Sequence, residues 1–244
     1  MLVKELPKLR DADKNSLVGV RGFLNFFQDV ATVHMHSFNK GNDVIPDQYN
    51  ICWMYTKYLL VLNREVNFDN TVDVETWIEK EKTTAVIRQA MEITQNGEFI
   101  AKGRLESCLV DMASRRLTKP AMIEFPMDVF EERHVDLRPF MKLPKTSEGM
   151  EYIFTHCVRY SDLDRNNHMT NLKYVPLLMD AFESDFYDTN TLCEMEIHYL
   201  SQCFYREEVD IFKKPEGEGY LVAVVHKDGT VATMAFMKFR TTMQ

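Results

Sequence analysis

Two stretches of this 244-residue chain, 151 positions apart, carry the same order of polar residues and lead into the same kind of segment. Residues 9–17 read LRDADKNSL and residues 160–168 read YSDLDRNNH, so Asp11 falls on Asp162, Asp13 on Asp164, Lys14 on Arg165 and Asn15 on Asn166. The place of His168 is held in the first copy by Leu17. Behind each turn, apolar residues recur at three- and four-residue spacing, the period of a helix that buries one face. They are Val20, Phe23, Leu24, Phe27, Val30 and Ala31 in the first copy and Leu172, Tyr174, Val175, Leu178, Met179 and Phe182 in the second. Asn171 suits the N-cap of the second helix. Pro176 falls inside it, where it removes a backbone hydrogen bond.

The stretch behind each helix repeats as well. After a polar loop over 38–49, strands are expected over 52–62, 72–78, 85–94 and 99–111, the last two joined by Gln95-Asn96-Gly97, a sequence suited to the positive φ angles of a tight hairpin. The second copy offers strands over 195–204, 208–213, 220–226 and 231–240, with Lys227-Asp228-Gly229 as the matching turn. Four of the eight prolines, Pro120, Pro126, Pro139 and Pro144, fall between the copies and favour an extended connector. The expected division is a unit over 1–118, a connector over 119–150 and a unit over 151–244. A helix followed by a run of antiparallel strands, present twice, predicts an α+β protein in which each sheet wraps its own helix.

Charge and cysteines narrow the function classes. A net charge of −8 argues against nonspecific binding to nucleic acid or anionic lipid. The five cysteines, Cys52, Cys108, Cys157, Cys193 and Cys203, show no Cys-x-x-Cys spacing, so neither a disulfide framework nor a zinc site is expected. The opening MLVKELPKLR lacks a signal-like apolar region, and no run reaches the roughly 18 apolar residues of a membrane span. These features lead us to expect a reducing, cytoplasmic setting.

The second turn is where chemistry concentrates. Asp162, Asp164, Asn166, Asn167 and His168 stand just before a helix start, whose free amides favour developing negative charge. An imidazole can take a proton from water while a carboxylate orients it. The same Asx-rich pattern also serves simple helix capping.

With DLDRNNHMTNLKY in the second of two tandem helix-and-sheet units, the chain resembles the acyl-acyl-carrier-protein thioesterases of plants and bacteria, which have a tandem hotdog fold. The resemblance rests on Asp162, Leu163, Asp164, Asn166, His168, Asn171 and Tyr174; Thr170 departs from the first asparagine of the family's Asn-Asn pair. It implies an intramolecular pseudo-dimer, no cofactor and no metal. It also implies hydrolysis of fatty acyl groups from the phosphopantetheine of acyl carrier protein, which ends fatty acid synthesis. Asp164, Asn166 and His168 are the implied catalytic residues, joined by a glutamate and a cysteine on the next strand. Those two places are held here by Gln202 and Cys203. A glutamine cannot take a proton, so the base role shifts onto His168, with Gln202 positioning water. Cys203 is a candidate nucleophile, although a cysteine between apolar neighbours also suits a core. In the first copy Glu65 aligns with Gln202, near a turn that carries Leu17 in place of histidine, and reads as structural.

The expected acyl pocket lies in the first unit, on the aromatic helix face of Phe23 and Phe27 and the strand residue Trp53; the same rings also suit an ordinary core. An acidic carrier protein needs local positive charge, for which Arg165 and Lys173 stand nearest the turn. The sequence leaves open a homodimer, coenzyme A as the carrier, an R-specific enoyl-thioester hydratase on the same fold and a non-catalytic acyl-binding protein.

Overall fold

The computed structural model describes residues 1–81 and 86–242, which fall into two compact units, Met1–Arg138 and Pro139–Gln244. In the first unit the strands longer than two residues are β1 (Leu2–Glu5), β2 (Ile51–Leu62), β3 (Val72–Glu79), β4 (Ile87–Gln95) and β5 (Glu98–Asp111). They pair antiparallel with one another in the spatial order β1-β3-β4-β5-β2, and β3 also pairs parallel with the two-residue strand Phe130–Glu131. Ala85, the first residue of the strand expected over 85–94, lies outside the described residues. In the second unit β6 (Glu151–Cys157), β7 (Asn190–Tyr199), β8 (Glu208–Glu216), β9 (Gly219–His226) and β10 (Val231–Thr241) are likewise antiparallel, ordered β6-β8-β9-β10-β7. Counted within each unit, both orders read first, third, fourth, fifth, second. The duplication is therefore one of topology as well as of sequence.

The hairpins close as their residues require. Asn96 and Gly97 adopt φ of 53° and 80°, and Gly229 adopts 89° with its amide donating to the His226 carbonyl at 2.9 Å.

Each sheet carries one helix from the repeat. In the first unit α1 (Val20–Ser37) runs 18 residues and buries Phe23, Leu24, Phe27, Val30 and Ala31. Gly103 of β5 makes the approach possible. A Cβ there would stand 2.7 Å from Cε1 of Phe27, closer than carbon atoms pack, so the absent side chain lets the fully buried ring lie on the strand. The helix of the second unit, α2 (Asn171–Met179), has half that length, 9 residues. Its N-cap is Thr170, not Asn171, and that cap uses no side-chain bond. Pro176 explains the early stop. It cannot donate to the carbonyl one turn back, and the helix ends within a turn of it, where the Asp180 amide reaches the Pro176 carbonyl at 2.8 Å. Phe182, expected on the helix face, lies beyond its end and packs among Phe186, Tyr220 and Phe239, with Lys213 Nζ 4.5 Å from its ring centroid.

The proline-rich segment is tied down in both units by buried carboxylates. In the first, Glu79 accepts the Val135 amide at 2.7 Å and pairs with Arg104 at 3.0 Å, while Arg104 donates to the carbonyls of Val135 and Arg138. In the second, Glu196 accepts the Met141 amide at 2.8 Å and stands 2.7 Å from His198 Nε2. Buried charge persists only when so partnered.

Replacing Gly103 with alanine should destabilise the first unit by about 1–3 kcal/mol through overpacking, and adding Phe27→Leu should restore part of the loss. Urea unfolding of the single and double variants checks this. Full additivity of the two losses would refute the contact.

Candidate active site

The two Asx-rich turns are superimposable in their bonding. In the first, Asp13 Oδ1 accepts the amides of Asn15 at 2.8 Å and Leu17 at 3.0 Å. In the second, Asp164 Oδ1 accepts those of Asn166 at 2.7 Å and His168 at 3.2 Å. The amide of each aspartate in turn donates to the carbonyl four residues on, Asp13 to Leu17 at 2.9 Å and Asp164 to His168 at 2.8 Å. Ser16 and Asn167 occupy the left-handed region at φ of 63° and 61°. A further aspartate opens each turn, with Asp11 taking the Lys8 amide and Asp162 the Arg159 amide, both at 2.8 Å. An identical scaffold forms around Leu17, which has no chemistry, and around His168, which has. The Asp164 carboxylate therefore builds the turn. Its observed bonds go to backbone amides and not to the imidazole it was expected to orient.

His168 is half-buried, and its ring meets the edge of Phe204 at a centroid distance of 5.1 Å and an interplanar angle of 86°. Among the described residues no side chain hydrogen-bonds the ring. Asn166 is exposed beside it, as is Arg165. Lys173, on the first turn of α2, stands 4.0 Å from Asp162, which also bonds His156 Nε2 at 3.0 Å.

The strand expected over 195–204 ends at Tyr199, so Gln202 and Cys203 lie in the irregular segment beyond it. That segment is laced to the His168 turn, since the Met169 amide donates to the Cys203 carbonyl at 2.9 Å and His168 pairs with Phe204 in an antiparallel bridge. The Gln202 side chain is exposed on it. Cys203 is fully buried, and burial pushes its thiol up to about 11 against the Tyr174 hydroxyl. In the first copy Glu65 lies beside the start of α1, with Oε1 3.0 Å from where a Cβ on Gly19, the helix N-cap, would stand. A carboxylate suits the positive end of that helix.

The rings chosen for the acyl pocket are core residues. Phe23 and Phe27 have no exposed surface and Trp53 is buried in a cluster with Ile51, Ile78 and Phe125. A cleft in this unit lined by Lys80, Glu81, Ile87, Pro120, Met127 and Phe130 includes none of the three. Sequence reasoning passed over Ser201, Glu207 and His226, which the fold gathers behind the Gln202 segment; they are scattered along the chain and only strand register brings them together.

Comparison with known proteins decides the family. The sequence matches the acyl-ACP thioesterase N-terminal domain over residues 7–122 and the acyl-ACP thioesterase C-terminal domain over residues 146–241. The chain belongs to the acyl-ACP thioesterase family. Among its relatives is a chloroplastic palmitoyl-acyl carrier protein thioesterase of Cuphea hookeriana, 26% identical over 217 residues, which covers 81% of this chain and 51% of the relative. The chain thus spans about half the length of the curated relatives it matches first, 51% in each of the two leading cases. Among solved structures, an acyl-ACP thioesterase from Bacteroides thetaiotaomicron superimposes with a TM-score of 0.86 at 17% identity, covering 98% of this chain and 97% of that one. The 12:0-ACP thioesterase from Umbellularia californica gives 0.84 at 18%, covering 99% and 97%. These likenesses establish the tandem hotdog fold of the family.

If the Asp164 carboxylate acts as a turn-builder, Asp164→Asn should hold thioesterase turnover within about threefold, because an amide oxygen still accepts both amides. Asp164→Ala should lose about 10- to 100-fold by displacing His168. Equal, large losses in both variants, measured by thiol release, would assign the charge itself a chemical role.

Proposed function

We propose that this chain hydrolyses fatty acyl thioesters carried on the phosphopantetheine of acyl carrier protein, releasing free fatty acid as the terminating step of fatty acid synthesis. The observation that carries this reading is that two turns with the same aspartate-to-amide bonding differ in their last side chain, an imidazole at His168 where the first copy has Leu17. Family membership and the names of the relatives support the substrate class.

Thioester cleavage asks for an activated water and a stabilised oxyanion, since a thiolate departs without a strong acid. His168 takes the proton of water as it attacks the carbonyl carbon, and exposed Asn166 and Gln202 hold the water or the carbonyl oxygen. The Thr170–Asn171 start of α2 supplies the positive end of a helix dipole near the developing negative charge. Collapse of the tetrahedral intermediate expels the pantetheine thiolate, which takes up a proton. We leave Cys203 outside this scheme. Burial pushes its thiol up to about 11, which disfavours the thiolate a nucleophile needs. Arg165, exposed beside the turn, is the residue we assign to docking of the acidic carrier, with Lys173 behind it. A cytoplasmic setting is part of the same reading, supported by five cysteines of which none forms a disulfide.

The test is hydrolysis measured across acyl carrier protein thioesters of increasing chain length beside the matching coenzyme A esters, for the wild type and Cys203→Ala. Turnover should favour the carrier protein and survive in the cysteine variant within about threefold. Hydration of an enoyl thioester's double bond without release of free thiol, or abolition of turnover by Cys203→Ala, would overturn the scheme.

A further inference from the structure

We propose that Ser201, His226 and Glu207 form a polar clamp that positions the His168 imidazole through Phe204. The proposal rests on the hydrolytic reading of His168 given above. The three residues come from different places, Ser201 and Glu207 from the two ends of the segment after β7 and His226 from the last position of β9. Glu207 uses both carboxylate oxygens. Oε1 lies 2.5 Å from His226 Nδ1, and Oε2 accepts the Phe204 amide at 2.9 Å. The other ring nitrogen of His226, Nε2, stands 3.2 Å from Ser201 Oγ. One imidazole on the sheet therefore fastens the start and the end of the segment directly, and its middle through Glu207.

Phe204 is the piece of that segment which meets His168. Its backbone pairs with that of His168, and its ring edge packs on the imidazole. Yet Phe204 is 50% exposed, so apolar burial holds it only weakly. The clamp supplies what burial does not. The His226 side chain is 11% exposed and that of Glu207 28%, which limits competition from water and favours a strong charge-assisted bond.

Other groups facing His226 do not displace this assignment. Cys203 lies with Glu207 and His226 in a cluster whose ligand-capable atoms are within 4.8 Å of one another, but burial pushes its thiol up, away from the thiolate that binds metals, and the carboxylate and imidazole are already bonded to each other. Asp228 lies two residues on, in the β9–β10 turn, where its Oδ1 accepts the Thr230 amide at 2.8 Å.

The duplication again serves as an internal control. Gly97 and Gly229 are 132 positions apart, which sets Thr94 at the place of His226, and Glu65 and Gln202 are 137 apart, which sets Arg64 at the place of Ser201. The copy that lacks the imidazole at Leu17 lacks these partners too, although it keeps both aspartate-to-amide bonds of the turn.

An acid, an imidazole and a hydroxyl in series also describe a serine hydrolase relay. The two roles separate cleanly on substitution at Glu207. Glutamine can accept the Phe204 amide through its oxygen and donate to His226 Nδ1, leaving Nε2–H to bond Ser201; the geometry survives without the charge. Glu207→Ala should therefore lower kcat about 10- to 100-fold with KM for acyl carrier protein substrate within about twofold, and Glu207→Gln should recover kcat to within about threefold. Ser201→Ala should lose no more than about tenfold. Loss of the glutamine variant as severe as that of the alanine variant, abolition of turnover by Ser201→Ala, or covalent labelling of Ser201 by a fluorophosphonate would overturn the clamp. The ring proton resonances of His168, assigned by NMR in the same variants, give a readout independent of turnover. They should shift in Glu207→Ala and not in Glu207→Gln, and unmoved resonances in both would refute the proposal even if the protein proved to have another activity.

Discussion

Everything at the candidate site depends on one carboxylate oxygen, Oδ1 of Asp164, accepting two amides of its own turn at 2.7 and 3.2 Å. These bonds let Asn167 sit at positive φ and bring the chain back on itself, so that His168 pairs across to Phe204 while Thr170 opens α2. Asx turns of this kind are local chemistry, written in the spacing of an aspartate and the residues two and four beyond it. That is why the arrangement recurs at Asp13 with no imidazole to carry. The scaffold and the imidazole are separable, and the first copy shows the scaffold alone.

The same separation explains why the site was partly legible in the sequence. The turn, the helix behind it, the hairpin glycines and the paired strand runs all depend on neighbours a few residues away, and these were read from residue order. The length of α2 was not, because the apolar period continues to Phe182 while Pro176 ends the helix at Met179; Phe182 is apolar for a different reason, the aromatic cluster it joins. Alternation likewise suggested that β7 runs on to Phe204. Apolar Leu200, Cys203 and Phe204 mimic a strand there, whereas Phe204 is turned to the imidazole and Cys203 is sealed inside.

Residue order held no sign at all of the partners assembled by strand register. Ser201, Glu207 and His226 meet only because β8, β9 and β10 pair as they do, with Val209 opposite His226. The buried anchors Glu79 and Glu196 belong to the same class. Each reads as an ordinary strand acid until the fold brings a connector amide to it. The aromatic residues at Phe23, Phe27 and Trp53 show the converse, a pattern that suited both a pocket and a core, with the structure burying all three.

The central claim is that an imidazole has been placed on a turn that folds without it. Leu17 provides the natural replacement, so the direct measurement is kcat/KM for acyl carrier protein thioesters, with thermal unfolding, for His168→Leu beside the wild type. The account predicts a loss of about 10²- to 10⁴-fold in turnover with an unchanged unfolding temperature. Retention of turnover in the folded leucine variant would contradict it.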